Sequence, residues 1–401
     1  MNWKLLISFI LLIVGGLVIL FSATQANSGQ YEIFSKQIIW TILGIFSFIA
    51  VYSLPSRTIA FFTPILYGTI LLTLVGVLIF PASVGGTHRW LSMGDMRFQP
   101  SELAKLSVIL MLSYFLSKRD RLLSRLSEAF YLSPIALIPM ILIFFEPDLG
   151  TALIIIPPVL ALFYWGGLTG LQIILIMVPA VAIVSVWHRW FLVIYLILIA
   201  GLLFLSKADL FDSLLIVGIT ALVGIFSPLL WTHLEDYQKQ RIFTTLNPGE
   251  DPLGAGYQII QSRVAIGSGG LFGKGYLHGS QKNLSFLPEQ HTDFIFSVLS
   301  EEFGFMGAVI FFTLYTFLLI QFINIALKMR NRFASCAILG ISVMLLTQVT
   351  INVCMTLGIL PVVGLPLPLV SYGGSSLVAT IFSIGLIFSF QRKEKWLQNG
   401  S

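Results

Sequence analysis

The first apolar stretch of the chain reads Leu-Leu-Ile-Ser-Phe-Ile-Leu-Leu-Ile-Val-Gly-Gly-Leu-Val-Ile-Leu-Phe-Ser-Ala over residues 5–23. It contains no charged residue, and a helix of about 20 such residues spans the hydrocarbon core of a bilayer. A signal peptide is the alternative, but its apolar core is no longer than about 15 residues. We therefore expect a retained transmembrane helix at this position.

The same pattern recurs along the whole chain, which is 57% hydrophobic and only 10% charged over its 401 residues. This composition excludes an ordinary soluble globular protein. Because backbone polar groups in lipid must be satisfied within each segment, we predict an all-α fold, a polytopic membrane helical bundle. The apolar stretches, twelve in all, cover residues 5–23, 37–54, 58–80, 102–117, 129–145, 150–166, 169–187, 190–205, 209–231, 304–327, 334–358 and 371–391.

The net charge of +5 does not indicate nucleic-acid binding, because the Lys and Arg residues cluster in short loops, where they set membrane topology. The clusters lie at 118–125, 328–332 and 392–395, on the same side as both termini. The positive-inside rule makes that side the cytoplasm.

Cys336 and Cys354 lie in one apolar stretch, about 27 Å apart along a helix, which is too far for a disulfide.

Most carboxylates then fall on the opposite, outer face, above all in the non-membrane stretch 232–303. At its centre, His291-Thr-Asp293 precedes the apolar start of a helix. Asp293 is either a helix N-cap or a functional acid, whose partial desolvation would raise its pKa towards that of a general base. Glu301 and Glu302 follow, and two carboxylates entering a membrane helix are costly unless they are paired or functional.

Glu102 and Lys105 open the fourth apolar stretch, and their spacing of three places them on one helix face, where they can pair. As a surface pair they would matter little, but an ion pair at the outer end of a membrane helix points to function.

The loop 81–101 carries His88, Arg89, Trp90 and Arg97 on the side that topology keeps poor in cations. These residues suit either contact with lipid headgroups or an anion site, since guanidinium groups match phosphate oxygens. The turn Glu146-Pro147-Asp148 is explained most simply by Asp148 capping the next helix.

The glycine run 267–275 fails both nucleotide-binding patterns, because Ser268 and Gly275 break the Walker spacing and the G-x-G-x-x-G spacing fails as well. We expect flexible packing of a re-entrant or interfacial segment instead, and no nucleotide. Gln348 and Asn352, four apart in one stretch, predict interhelical hydrogen bonds.

Six stretches in order resemble the shape, elongation, division and sporulation (SEDS) family, and more closely its elongation branch than its division branch. The resemblance covers nearly the whole chain. It is carried by Phe98-Gln-Pro-Ser-Glu102-Leu-Ala-Lys105, Glu146-Pro-Asp-Leu-Gly-Thr151, Asn247-Pro-Gly-Glu-Asp-Pro-Leu-Gly-Ala-Gly-Tyr257, Ala265-Ile-Gly-Ser-Gly-Gly270, Phe286-Leu-Pro-Glu-Gln-His-Thr-Asp293-Phe-Ile-Phe296 and Gly364-Leu-Pro-Leu-Pro-Leu-Val-Ser-Tyr-Gly-Gly-Ser375.

The resemblance implies a peptidoglycan glycosyltransferase that polymerises lipid II onto a nascent glycan strand at the outer face of the bacterial cytoplasmic membrane. It implies a class B penicillin-binding protein as partner and a divalent cation, Mg²⁺ or Mn²⁺, although the sequence shows no clear ligand cluster. The family's essential acid matches Asp293, and its intramembrane ion pair matches Glu102 and Lys105. The remaining candidates for substrate contact or support are Arg89, Arg97, Arg263, His291, Glu146 and Asp148.

One departure concerns domain organisation. We expect residues 1–401 to form a single membrane domain with an extracellular catalytic loop at 232–303. The family has ten membrane helices, so the surplus apolar segments predict a helical insertion at 169–231. A lipid II flippase and a non-catalytic scaffold of the cell-wall machinery are the alternative functions.

Overall fold

The computed structural model describes residues 3–25, 31–79, 82–84, 87–93, 96–183, 189–206, 209–233, 236–246, 249, 255–280 and 290–399. Its helices in the first half are α1 Trp3–Thr24, α2 Tyr31–Ser53, α3 Ser56–Ile79, α4 Pro100–Ser117, α5 Leu126–Leu132, α6 Pro134–Phe145, α7 Leu149–Ile154 and α8 Ile156–Trp165. Those in the second half are α9 Gly170–Val181, α10 Arg189–Ser206, α11 Leu210–His233, α12 Asp236–Leu246, α13 Ala255–Ser268, α14 Ile295–Lys328, α15 Arg332–Thr356 and α16 Gly374–Asn399.

The predicted helical membrane bundle is confirmed, since each apolar stretch of the sequence coincides with a helix or a helix pair. Within the described ranges, seven helices are long and apolar enough to cross a membrane, or eight if the bent pair α5–α6 is one span. Large apolar side chains such as Phe46 and Leu72 point outward, 72% and 73% exposed. In lipid such a surface carries no hydrophobic penalty, and the chain is a multi-pass membrane protein.

Two stretches that the sequence predicted as single helices, 129–145 and 150–166, are helix pairs. The axes of α5 and α6 differ by 48°, and Pro134 stands at the start of α6. Proline cannot donate a backbone hydrogen bond and clashes with the preceding turn. Pro157 stands at the start of α8 in the same way.

The loop 81–101 contains a small antiparallel sheet that the all-α prediction lacked. Its strands are β1 Ala82–Val84, β2 Thr87–Met93 and β3 Met96–Phe98, in the order β1–β2–β3. Val84 lies opposite Thr87, and Met93 lies opposite Met96. Two residues therefore separate each paired end, and the sequences Gly-Gly and Gly-Asp there are typical of two-residue hairpin loops.

Helices α9, α10 and α11 share a satellite core with α5, built from Leu126, Leu175, Val178, Ile199, Leu203 and Ile216. The carboxylate of Asp212 in α11 accepts hydrogen bonds from the backbone N–H groups of Leu126 and Ser127, at 3.0 and 3.1 Å. These N–H groups belong to the first turn of α5 and have no partner within the helix. The predicted insertion at 169–231 is thus anchored to the bundle through α5, and its status as an insertion stays a prediction.

The glycine run packs against a kink in α14, and this close packing differs from the flexible packing that the sequence suggested. At Gly304 the backbone has φ 66° and ψ −162°, which breaks the helical geometry. The N–H groups of Phe305 and Met306 donate instead to the carbonyls of Gly270 and Leu271, at 2.9 and 3.0 Å. A Cβ atom at Gly269 would overlap the carbonyl oxygen of Ser300, so the close approach needs glycine.

Candidate functional site

The segment before α14 is fixed at three consecutive carbonyl groups. The carbonyl of His291 accepts from the N–H of Tyr372 at 2.8 Å, and that of Thr292 accepts from the Ser371 hydroxyl at 2.5 Å. The carbonyl of Asp293 accepts from Asn352 Nδ2 at 2.9 Å. Asn352 belongs to α15, and Ser371 and Tyr372 belong to the connection between α15 and α16. The main chain that carries Asp293 is therefore held at three points.

The side chain of Asp293 is half-buried and lies beside Gly364. A Cβ atom at Gly364, where φ is 71°, would stand 3.5 Å from Asp293 Oδ2. The N-cap position of α14 is Phe294, and no side-chain cap hydrogen bond is made there. The N-cap interpretation of Asp293 therefore has no support from the helix geometry.

The connection 357–373 organises the surroundings of this acid. Asn352, fully buried, donates to the carbonyl of Leu365 at 2.7 Å as well as to that of Asp293. Tyr315 donates to the carbonyl of Pro368 at 3.0 Å, and Gln37 donates to that of Ser371 at 3.1 Å. Irregular backbone inside a membrane protein needs such donors, since lipid supplies none.

Glu102 and Lys105 form the predicted pair at the start of α4. Lys105 Nζ lies 2.9 Å from each carboxylate oxygen of Glu102, and the two side chains are only 2% and 5% exposed. Breaking a buried pair of this kind by removing one partner typically costs about 3–5 kcal/mol.

The turn between α6 and α7 gathers three of the predicted residues. Asp148 is the N-cap of α7, as predicted, and accepts from the N–H of Thr151 at 3.1 Å. Arg89 Nε donates to the carbonyl of Glu146 at 2.9 Å, a second guanidinium nitrogen donates to the carbonyl of Pro147, and Arg89 Nη1 lies 3.9 Å from Asp148 Oδ1.

Glu146 itself is fully buried, and in the described part of the chain neither of its carboxylate oxygens has a hydrogen-bond partner. Burial, with a smaller contribution from the neighbouring charge of Asp148, raises the pKa of Glu146 to about 8. The opposing effect of Arg89 is weaker. At neutral pH this side chain is therefore mostly an uncharged carboxylic acid.

Two links join these groups into one region. Gln99, just before α4, donates to Asp148 Oδ2 at 2.9 Å and so connects the start of α4 with the α6–α7 turn. A Cβ atom at Gly150 would stand 2.7 Å from the carbonyl oxygen of Val363. The α6–α7 turn therefore packs against the 357–373 connection, which in turn contacts Asp293.

The described contacts of Arg263 are with the end of α15. Its Nε and Nη2 donate to the carbonyls of Leu357 and Gly358, at 3.0 and 2.9 Å. It thereby caps the carboxyl end of α15, where carbonyl groups lack helical partners. Substrate contact by Arg263 stays a prediction.

His291 and Arg97 complete the set of predicted residues. The ring of His291 lies 5.9 Å from the ring of Tyr372, centroid to centroid. Arg97 belongs to β3, and its side chain lies outside the part of the structure that is described; its predicted contact with an anion stays a prediction.

Glu301 has a charged partner and Glu302 has a hydrogen-bond donor, so the pairing offered as an explanation is found for Glu301. Glu301 Oε1 lies 2.7 Å from Lys274 Nζ and accepts from the N–H and hydroxyl of Ser280, at 2.8 and 2.9 Å. Glu302 Oε1 accepts from the Ser22 hydroxyl at 2.5 Å. Both side chains are 1% exposed, and they tie α14 to the glycine run and to α1.

The residues do not form an evident metal site. Within the described residues, no group of three or more His, Cys, Asp or Glu side chains could hold a metal ion. Glu289, Glu250 and Asp251 lie outside those residues. The divalent cation stays a prediction, and no chemical step below depends on it.

Sequence reasoning missed two residues of this region. Asn352 was assigned to interhelical hydrogen bonds, but both of its described bonds go to irregular backbone. Arg241 in α12, which donates to the carbonyl of Val362 at 3.0 Å, was not selected at all. The available signal for Arg241 was its place in a basic run, Lys239-Gln-Arg241, on the face expected to be poor in cations.

The fold and this carboxylate-centred region define a membrane-embedded protein with a fixed acid beside an irregular connection. Comparison with known proteins narrows the class. The family model of FtsW, RodA and SpoVE, described as cell cycle protein, matches residues 2–195 and 190–396. The peptidoglycan glycosyltransferase MrdB of Escherichia coli K12 is 38% identical over 98% of this chain and 94% of its own. The peptidoglycan glycosyltransferase RodA of Treponema pallidum is 34% identical over 98% of both chains.

Solved structures agree. One chain, from work described as structural coordination of polymerization and crosslinking by a peptidoglycan synthase complex, superposes with a TM-score of 0.73 at 30% identity over 98% of both chains. The rod shape determining protein RodA of Thermus thermophilus gives a TM-score of 0.65 at 28% identity, over 98% of this chain and 97% of that one. The chain belongs to the FtsW, RodA and SpoVE family, which is the SEDS family that its motifs resemble. It is a glycosyltransferase.

Proposed function

We propose that the chain polymerises lipid II into the glycan strands of peptidoglycan at the outer face of the cytoplasmic membrane, during cell elongation. The basic loops support an orientation with both termini in the cytoplasm and the 232–303 stretch outside. The relatives named peptidoglycan glycosyltransferases support the choice of product.

The observation that carries the proposal is the placement of Asp293. Its side chain is half-buried, while the carbonyls of residues 291–293 accept hydrogen bonds from Tyr372, Ser371 and Asn352. A general base needs a fixed position within hydrogen-bond reach of the proton that it removes. The backbone of Asp293 is fixed and its carboxylate is partly accessible, so Asp293 meets that requirement.

In the proposed reaction the growing glycan is the donor and lipid II is the acceptor. The acceptor's sugar hydroxyl oxygen attacks the anomeric carbon of the donor, and its proton passes to the Asp293 carboxylate. The bond from the anomeric carbon to the diphosphate oxygen breaks, and its electron pair leaves with undecaprenyl diphosphate. The configuration at the anomeric carbon inverts. Such a base contributes about 10²–10⁴ in rate.

Lys105 and its partner Glu102 have a supporting role in this proposal. Charge develops on the departing diphosphate, and cationic groups placed in advance stabilise such charge. Glu102 holds the Lys105 ammonium group in one position, with 2.9 Å to each carboxylate oxygen.

A class B penicillin-binding protein is the proposed partner, which crosslinks the strands as they form. The structural neighbour described as part of a peptidoglycan synthase complex supports this assignment. The outward faces of α14 and α15 are the proposed docking surface for the partner's single transmembrane helix.

The test uses purified full-length protein with labelled lipid II in detergent, with a divalent cation, with and without the cognate penicillin-binding protein. We expect glycan chains from the wild type and none from Asp293→Asn. The matched control is Asp120→Asn, the same chemical change at an exposed residue, which should polymerise like the wild type.

Chains from Asp293→Asn at the wild-type rate would refute the role of Asp293 as base. No chains from the wild type, even with the partner, but movement of lipid II between liposome leaflets would favour the flippase. If neither activity occurs and Asp293→Asn supports rod-shaped growth, the scaffold alternative holds.

A further inference from the structure

A cavity of 180 Å³ lies beside the Asp293 region, between the α6–α7 turn, α12 and residues 361–363. Its polar wall is formed by Arg89, Asp148, Gln238 and Arg241. These residues carry two guanidinium groups and one carboxylate. Charged side chains on an otherwise apolar cavity suit an anionic group.

Both arginines are oriented by neutral backbone carbonyls. Arg89 donates to the carbonyls of Glu146 and Pro147, and Arg241 donates to that of Val362 at 3.0 Å. Each guanidinium group is a planar fork whose geometry matches phosphate oxygens. The carbonyl bonds thus fix two cationic groups in the lining of one cavity.

The negative charge on the wall offsets only part of its positive charge. Asp148 Oδ1 lies 3.9 Å from Nη1 of Arg89, and the hydrogen bonds that Asp148 accepts from Thr151 and Gln99 come from neutral donors. Burial, followed by the charge of Asp148, raises the pKa of Glu146 to about 8, so at neutral pH that residue adds little negative charge. With two guanidinium groups against one carboxylate, the wall keeps an excess of positive charge.

The cavity lies next to the proposed base without including it. Val363 lines the cavity, and the following residue, Gly364, lies against Asp293 Oδ2. Consecutive Cα atoms are about 3.8 Å apart. An inverting transfer needs the base and the leaving group on opposite faces of the sugar, and the carboxyl pairs of inverting glycosidases are about 6.5–9.5 Å apart for the same reason.

We propose that this cavity binds the diphosphate group of a lipid-linked substrate, with Arg89 and Arg241 as the residues that contact it. The inference rests on the proposed polymerase function and adds Arg241 and a location to it. Arg263, which caps α15, is then not a diphosphate ligand. Lys105, held by Glu102, keeps its proposed role of stabilising the departing charge without contacting the diphosphate directly.

The experiment measures binding of undecaprenyl diphosphate to full-length protein in a maltoside detergent, which contains no phosphate. Arg241→Ala should weaken binding about 10- to 100-fold, the range for loss of a charge-assisted hydrogen bond. Arg121→Ala is the matched control, because the Arg121 side chain is 81% exposed and remote in sequence from the cavity.

A second pair of variants removes no hydrogen bond and so separates charge from folding. Leu153 lies on the apolar wall of the cavity and is 50% exposed. Leu153→Glu adds a negative charge there, and Leu153→Gln adds a neutral group of similar shape. We expect the dissociation constant for undecaprenyl diphosphate to be at least 10-fold higher for Leu153→Glu than for Leu153→Gln.

Equal dissociation constants for the two Leu153 variants, together with wild-type binding by Arg241→Ala, would overturn the proposal. Equally tight binding of phosphatidylglycerol would also overturn it, because the site would then accept an ordinary lipid phosphate. A separate polymerisation assay distinguishes the two proposals. Arg241-dependent binding without glycan synthesis would refute only the polymerase function, and glycan synthesis with unaltered binding by the variants would refute only the cavity.

Discussion

Asn352 should control the position of Asp293 without touching substrate. Its Nδ2 donates to the carbonyls of Asp293 and Leu365, at 2.9 and 2.7 Å, and the side chain is fully buried. Removing the donor leaves one buried and one partly buried acceptor. An unsatisfied buried acceptor costs about 1–3 kcal/mol and the partly buried one costs about 1 kcal/mol, so Asn352→Leu removes about 2–4 kcal/mol from the local structure. A free-energy difference of 1.4 kcal/mol corresponds to a factor of ten. If the lost energy appears as misplacement of Asp293 in the transition state, even the lower figure predicts that kcat falls at least about 10-fold.

The assay is lipid II polymerisation by the purified variants, with kcat and KM determined separately and thermal unfolding measured in parallel. We expect kcat to fall while KM changes little, because Asn352 acts through backbone and not through substrate. Asn352→Asp keeps the shape but replaces the donor by an acceptor, so it should be at least as harmful as Asn352→Leu.

Gln348→Leu is the control, one turn away on the same helix and equally buried, with no described contact to Asp293. It should retain kcat within about threefold. An active Asn352→Asp, or an equal loss in Gln348→Leu, would refute the positioning role and indicate a general packing defect in α15.

Two further predictions concern stability. Gly269→Ala should destabilise the protein, because the added Cβ atom would overlap the Ser300 carbonyl. The control is Gly267→Ala, whose Cβ atom would enter open space, and it should unfold at the wild-type temperature. Equal melting temperatures for the two variants would exclude the close approach. The pKa of Glu146 is raised to about 8 in the folded state, against an ordinary value of 4.5, so between these pH values the folded state holds a proton that the unfolded state has lost. The free energy of unfolding should therefore fall as pH rises from about 5 to 8. Thermal unfolding across this pH range should show a weaker pH dependence for Glu146→Gln than for the wild type. The same pH dependence in both proteins would show that Glu146 is ionised in the folded protein.

Much of the architecture follows from sequence because lipid enforces one local solution. Each apolar stretch had to become helix, and the spacing of Glu102 and Lys105 was sufficient to pair them. Asp148 was recognised as a cap from its position after a helix. These inferences use contacts within about one helical turn, where the chain itself fixes the geometry.

The parts that were missed depend on contacts between distant segments. Asn352 lies on a helix whose own backbone is satisfied, so its amide is available to irregular segments, and spacing does not show which ones. Arg241 becomes relevant only because α12 lies against Val362, more than a hundred positions away. The sheet in loop 81–101 was predictable in principle from its Gly-Gly and Gly-Asp links, but the membrane composition favoured helix everywhere.

The break at Gly304 has a mechanical consequence for α14. Across it, the N–H groups of Phe305 and Met306 bond to the glycine run and not to the preceding helical turn. The short piece 295–303, which continues from Asp293, is attached to the same run, because the carbonyls of Glu301 and Glu302 accept from the N–H groups of Lys274 and Gly275, both at 3.0 Å. The glycine run thus bridges the two pieces of α14. We therefore expect a displacement of residues 305–328 to reach the segment that carries the acid by two routes, through the chain itself and through the glycine run.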